Sequence, residues 1–215
     1  MRIRSFIIAY ALVLALLLFA ERRPPSPQQQ NRYSHVIDLT LADPAQARVS
    51  ASQIGGTSIV SPAALIPGTW DAGQIPAERL IAPLAVLNLR STPQITLEDI
   101  EGWEAKNGVI PQGAIVAIRH DPSHLPQSDS QMPITEDAAQ FLMDARYVLG
   151  FAVETRPDLS TDRTLARQIA LHGAYVVESA TRMTSLPETG SLMIVAPAKT
   201  ANAPEAAARV LAMVR

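Results

Sequence analysis

From Ser34 to the C terminus, short apolar runs rich in branched residues alternate with stretches carrying helix-start and helix-stop signals. That alternation restricts the chain to a mixed α and β domain. Val36 to Thr40, Thr57 to Val60 and Pro83 to Leu89 read as strands, each bounded by Pro, Gly or polar positions. Thr96, with Asp99 three residues on, starts a helix as a capping box, and Asn107-Gly108 ends it. Ala114 to Arg119 returns as a strand. Thr135, followed by Glu136 and Asp137, caps a second helix to about Ala145, the acids complementing the positive end of the helix dipole. Val148 to Val153 is the next strand, and a third helix runs from Asp162 to Leu171 before His172-Gly173. Ala174 to Val177 and Leu192 to Val195 are strands, whereas Ala206 to Val214 fits either a helix or a strand. There is no internal repeat.

The N-terminal segment is of another kind. Arg2 and Arg4 precede an uninterrupted apolar run from Phe6 to Ala20, closed by Glu21, Arg22 and Arg23. As a helix this run is roughly 22 Å long, short of the ~30 Å hydrocarbon core of a membrane, which points to a secretory signal peptide. The run ends Leu18-Phe19-Ala20, without the small residue an Ala-x-Ala cleavage site needs, which points to an uncleaved anchor. Both stay open; a buried core helix fits less well, because the run has no polar face. Residues 1–23 are therefore expected to be a signal peptide or signal anchor, crossing the membrane through residues 5–20 if uncleaved. Residues 24–33, with PPSPQQQNR, form a Pro/Gln-rich linker, and residues 34–215 a single domain. The basic N terminus stays cytoplasmic, so the domain is expected to be exported, periplasmic or extracellular.

Charge and composition exclude several functions. Eighteen basic and 20 acidic residues give a formal charge of -2, with no basic cluster in the domain and only 5% aromatic residues, so no nucleic-acid partner is expected. With no cysteine, any metal would have to be held by His, Asp or Glu. His35, His120, His124 and His172 are the only imidazoles, and no two have a zinc-ligand spacing on one element. His120 and His124, separated by Asp121-Pro122-Ser123, read as solvent-exposed loop residues, and His172 as a helix C-terminal residue favoured by the dipole. Nucleophile-elbow, phosphate-loop, dinucleotide and His-Glu-x-x-His motifs are absent. Ser58 and Ser61 have no neighbouring histidine to activate them. Glu154, Arg156, Asp158, Asp162, Arg163 and Arg167 form a charged rim, a solvated face unless it borders a pocket.

Ile54 to Ala64, IGGTSIVSPAA, keeps the frame of the motif His-x-Gly-Thr-His-x-Asp-x-Pro-x-His. Ser34 to Thr40, Trp70 to Leu89, Thr96 to Ile118, Gly190 to Ala196 and Ala208 to Ala212 follow in matching order and spacing. On these residues the chain resembles the cyclase and kynurenine formamidase (arylformamidase-like) family of metal-dependent hydrolases. The resemblance implies an α+β fold, a cyclase-like swivelling β/β/α sandwich. Only Gly56, Thr57 and Pro62 of the motif remain, and the family's ligand positions fall on Ile54, Ser58, Val60 and Ala64. The family's further His and Glu, twelve residues apart, correspond to Ala166 and Glu178. The resemblance thus implies a degenerate member in which Glu178 is the only retained family acid, with a structural carboxylate as its alternative role. Asp38, Thr57, Ser58, Pro62 and Glu178 are candidates to line a ligand pocket, Asp38 equally to pair locally.

Two functions follow as expectations. The first is a pseudoenzyme that binds a small molecule or a protein partner, a homo-oligomer or an intact family paralogue among them, and needs no cofactor. The second is an active arylformamidase-type amide hydrolase with a metal site rebuilt for Zn or Mn from Glu178, Asp38 and the histidines.

Overall fold

The structure, a computed structural model, describes residues 33–42, 55–89, 93–120 and 131–215. The chain divides into two compact units, Met1–Arg32 and Tyr33–Arg215. The first, with the apolar run, lies outside the described residues, as do Ile54 and His124. Among the described residues no helix is long and apolar enough to cross a membrane.

In the second unit the strands are β1 (His35–Asp38), β2 (Ser58–Val60), β3 (Ile81–Leu89), β4 (Ile115–His120), β5 (Gly150–Val153), β6 (Tyr175–Glu178), β7 (Ser191–Pro197) and β8 (Glu205–Val214). The helices are α1 (Pro62–Leu65), α2 (Leu97–Asn107), α3 (Glu136–Arg146) and α4 (Arg163–Leu171). The sheet runs β1-β8-β2-β6-β5-β4-β3-β7, and β7 pairs again with β8, so seven strands close into a ring. Closure removes most of the unpaired edges that an open sheet would expose. β3, β4, β5 and β6 are parallel neighbours joined through α2, α3 and α4, and the remaining pairings are antiparallel. β1 and β2 lie end to end along one edge of β8, β1 against Leu211 to Val214 and β2 against Glu205 to Ala207.

Side chains of a strand alternate between its two faces, and the ring sorts them into two cores. Val60, Val116, Ile118, Phe151, Val153 and Val176 pack on one face with Ile100, Leu142 and Ile169 of the helices. Ile59, Val86, Ala117, Ala152, Tyr175 and Val177 point to the other face, with Ala206, Val210 and Val214 of β8. This alternation settles the segment that the sequence left between two states: along β8 every second side chain from Ala206 to Val214 is buried, and a strand forms despite the helix propensity of its alanines.

The helix starts follow their signals with one difference. Thr96 and Asp99 form the expected reciprocal box, and Asp162 caps α4 by accepting from the N–H groups of Thr164 and Leu165 at 3.1 and 3.0 Å. Thr135 occupies the N-cap of α3, but its hydroxyl caps no helical N–H. It donates to the Ile95 carbonyl at 3.2 Å and to the Asp137 carboxylate instead. Gly150 lies so close to β6 that an added Cβ would come within 2.6 Å of the Tyr175 carbonyl oxygen and 2.8 Å of its ring.

Candidate functional site

β2 runs between β6 and β8, and its register sets the site. Ser58 lies directly opposite Glu178 on β6 and Ala207 on β8; Val60 lies opposite Val176 and Glu205. Because alternate residues share a face, Ser58, Val60, Glu178 and Glu205 all lie on the helix side of the sheet. α1 starts with the buried Pro62 at its first turn, where a missing N–H costs nothing, and brings Ala64 and Leu65 over the same spot. The loop after β5 forms the opposite wall of an open cleft with Arg156, Pro157, Asp158, Leu159 and Ser160. The resulting pocket has a volume of about 400 Å³.

Its charged centre is a pair. The Arg156 Nε lies 3.6 Å from Glu178 Oε2, while its Nη2 donates to the Gly56 carbonyl at 3.0 Å and to Ser58 Oγ at 3.2 Å. Ser58 Oγ in turn donates to Glu178 Oε2 over a long 3.5 Å. Glu178 is 3% exposed and Ser58 fully buried. Burial pushes the Glu178 carboxyl up from 4.5 to about 7, opposed by the Arg156 charge, reinforced by Glu205 and opposed again by the Ser58 hydrogen bond. Desolvation wins because the guanidinium is 39% exposed and its attraction is screened by water.

The sequence-derived candidates separate in space. Val60, Ala64 and Glu178 line the pocket, with Ser58 locked behind Glu178 and Pro62 supporting α1. Thr57 is buried away from it, its hydroxyl accepting from Leu41 N at 2.7 Å and donating to the Ser179 carbonyl at 2.8 Å, a bridge between the end of β1 and the turn after β6. Asp38 does not line the pocket: it accepts from Thr40 N at 3.1 Å and from Arg209 of β8, 171 positions on, at 2.7 Å. His120, expected in an exposed loop, ends β4 with its side chain only 9% exposed, its Nδ1 3.4 Å from Glu154 Oε2. His172 caps α4 as expected, its ring nitrogens bonded to the Gln168 carbonyl and to Asp144. Ala166 is buried in α4. Of the charged rim, Arg156 and Asp158 border the pocket; Glu205 also does and had no local motif to mark it.

A divalent metal does not fit these residues. Such a site needs several oxygen or nitrogen donors converging at about 2 to 2.6 Å. Val60 and Ala64 offer no lone pair, Ser58 Oγ is already engaged, and the Arg156 guanidinium would repel a dication. Among the described residues no three of His, Asp and Glu come together to hold a metal ion.

The family model described as "Putative cyclase" matches residues 17–162. The chain belongs to the cyclase family. No curated protein matches it. Among solved structures, isatin hydrolase A from Labrenzia aggregata, bound to benzyl benzoate, is 24% identical with a TM-score of 0.68, over 84% of this chain and 93% of that one. Isatin hydrolase A from Ralstonia solanacearum is 23% identical with a TM-score of 0.69, over 84% and 92%. A protein described as a potential metal-dependent hydrolase with cyclase activity is 22% identical with a TM-score of 0.62, over 84% and 98%. These likenesses establish the cyclase-like α+β fold expected from the sequence.

Proposed function

We propose that this cyclase-family protein is a pseudoenzyme that binds a small ligand or a protein partner, exported or held at the membrane by residues 5–20. The observation that carries the reading is the lining of the pocket. Two of the family's ligand positions, Val60 and Ala64, reach it with apolar side chains, and a third, Ser58, is hydrogen-bonded behind Glu178. A metal supplies such hydrolases with a polarised carbonyl and an activated water, and nothing lining this pocket replaces both. The purified protein is expected to contain no stoichiometric zinc or manganese and to hydrolyse neither formylkynurenine nor simple amides and esters. One metal per chain, lost in Glu178→Ala together with activity, would sink the proposal.

One observation favours a second reading, an active arylformamidase-type hydrolase. The Glu178 carboxyl, at about 7, has the basicity a general base needs at neutral pH. With donors unsuited to Zn or Mn, such an enzyme would act on water through Glu178 alone. Formamide hydrolysis that survives a chelator and disappears in Glu178→Gln would establish it.

A further inference from the structure

We infer that the guanidinium of Arg156 is the resident cation of this pocket, standing where relatives would place a metal, and that the pocket takes a small carboxylate with an apolar body. The inference rests on the non-catalytic reading and gives its ligand a chemical class.

The geometry of Arg156 is that of an anchored donor with one side left open. A guanidinium carries five N–H donors in a rigid fork. Here Nη2 is held by Gly56 O and Ser58 Oγ, and Nε faces Glu178. Nη1 makes no hydrogen bond to any described residue, and the side chain lines the pocket. Fixing one edge of the fork against β2 and β6 leaves the Nη1 edge for a ligand oxygen, at little further entropic cost. Around it, Val60, Leu65, Pro157 and Leu159 supply apolar wall, and about 400 Å³ accommodates a body of one aromatic ring.

Three carboxylates share this pocket, and their placement decides the sign of the guest. Asp158 already accepts from Ser160 N and Oγ at 2.9 and 2.6 Å. Asp158 and Glu205 are both exposed, so water and salt screen them. Glu178 meets the Nε edge and leaves the Nη1 edge clear. Arg156 is exposed as well, so what favours an anionic guest is not weaker screening but the Nη1 donors, which no described residue engages.

The test uses benzoate as probe, with benzamide and benzylamine as its neutral and cationic counterparts, titrated into the full-length chain in the presence of a chelator. Benzoate is expected to bind at least tenfold more tightly than either counterpart and to shift the Arg156 Nε–Hε resonance. Arg156→Met is expected to weaken benzoate at least tenfold, while Glu205→Gln leaves it no weaker. Benzamide or benzylamine binding as tightly as benzoate, or benzoate saturating the protein without moving that resonance, overturns the inference. So does undiminished binding by folded Arg156→Met. The resonance is read on the unaltered chain, so the result stands even where Arg156→Met fails to fold. Absence of benzoate binding in protein free of metal and hydrolytic activity overturns the ligand class and leaves the non-catalytic reading standing. Binding that is abolished by the chelator overturns both.

Discussion

Replacing Glu178 by glutamine should stabilise the protein at pH 8 and change little at pH 4.5. Burial raises the carboxyl from 4.5 to about 7 in the folded protein. Below pH 4.5 the group is protonated in both folded and unfolded chains and contributes nothing. Between pH 4.5 and 7 the unfolded chain has released its proton while the folded chain still holds one. The folded state then binds more protons, and stability falls by about 1.4 kcal/mol for each unit of rising pH. Above pH 7 both states are ionised and the penalty levels off at about 3 kcal/mol. Glutamine keeps the shape and has no charge to desolvate, so it removes the penalty. It also removes the attraction to Arg156, but that opposing charge is already contained in the value of about 7 and is not subtracted again. The net expectation is a gain of about 2 to 3 kcal/mol at pH 8 and a gain near zero at pH 4.5. Urea unfolding of both proteins at the two pH values, followed by tryptophan fluorescence, measures it. Taking the difference between variants cancels the other titrating groups. A difference equal at the two pH values, or a Glu178→Gln protein less stable than the parent at pH 8, would refute the reasoning, because either result means that Arg156 outweighs burial and keeps Glu178 ionised.

Two further substitutions test the frame that carries the site. Gly150→Ala would push a methyl group into the Tyr175 carbonyl and ring, and should cost about 1 to 3 kcal/mol in thermal unfolding; an unchanged midpoint would mean that β5 and β6 separate freely. Thr96→Ala removes the acceptor for Asp99 N and should cost about 1 kcal/mol, whereas Thr135→Ala, whose hydroxyl caps no helical N–H, should cost less than half as much in the same denaturant titration.

Most elements of the domain are readable from local pattern because the strands are branched and flanked by breakers, and α2 and α4 carry side-chain caps at their starts; α1, four residues with no side-chain cap, is not. β8 escapes such a reading, since Glu205 to Val214 is rich in alanine and only its pairing with β1, β2 and β7 turns its alternation into burial. The site is readable to the extent that Val60 and Ala64 of the motif frame line the pocket, and unreadable where it depends on distant register. Ser58 faces Glu178 across 120 positions of chain. Four charged residues of one stretch meet four different ends: Glu154 accepts from the His120 N–H at 2.7 Å, Arg156 reaches β2, Asp158 folds back on Ser160, and Asp162 caps α4. Nothing local distinguishes them, because the path of the loop decides. One of them, Arg156, also meets Glu178. A carboxylate as deeply covered as Glu178 is costly to ionise without a positive neighbour. Val60 and Ala64 provide no metal ligands, and among the described residues Arg156 is the only basic one lining the pocket. The Arg156 guanidinium opposes the burial of Glu178 but, being 39% exposed, offsets only part of it, so the carboxyl stays raised to about 7.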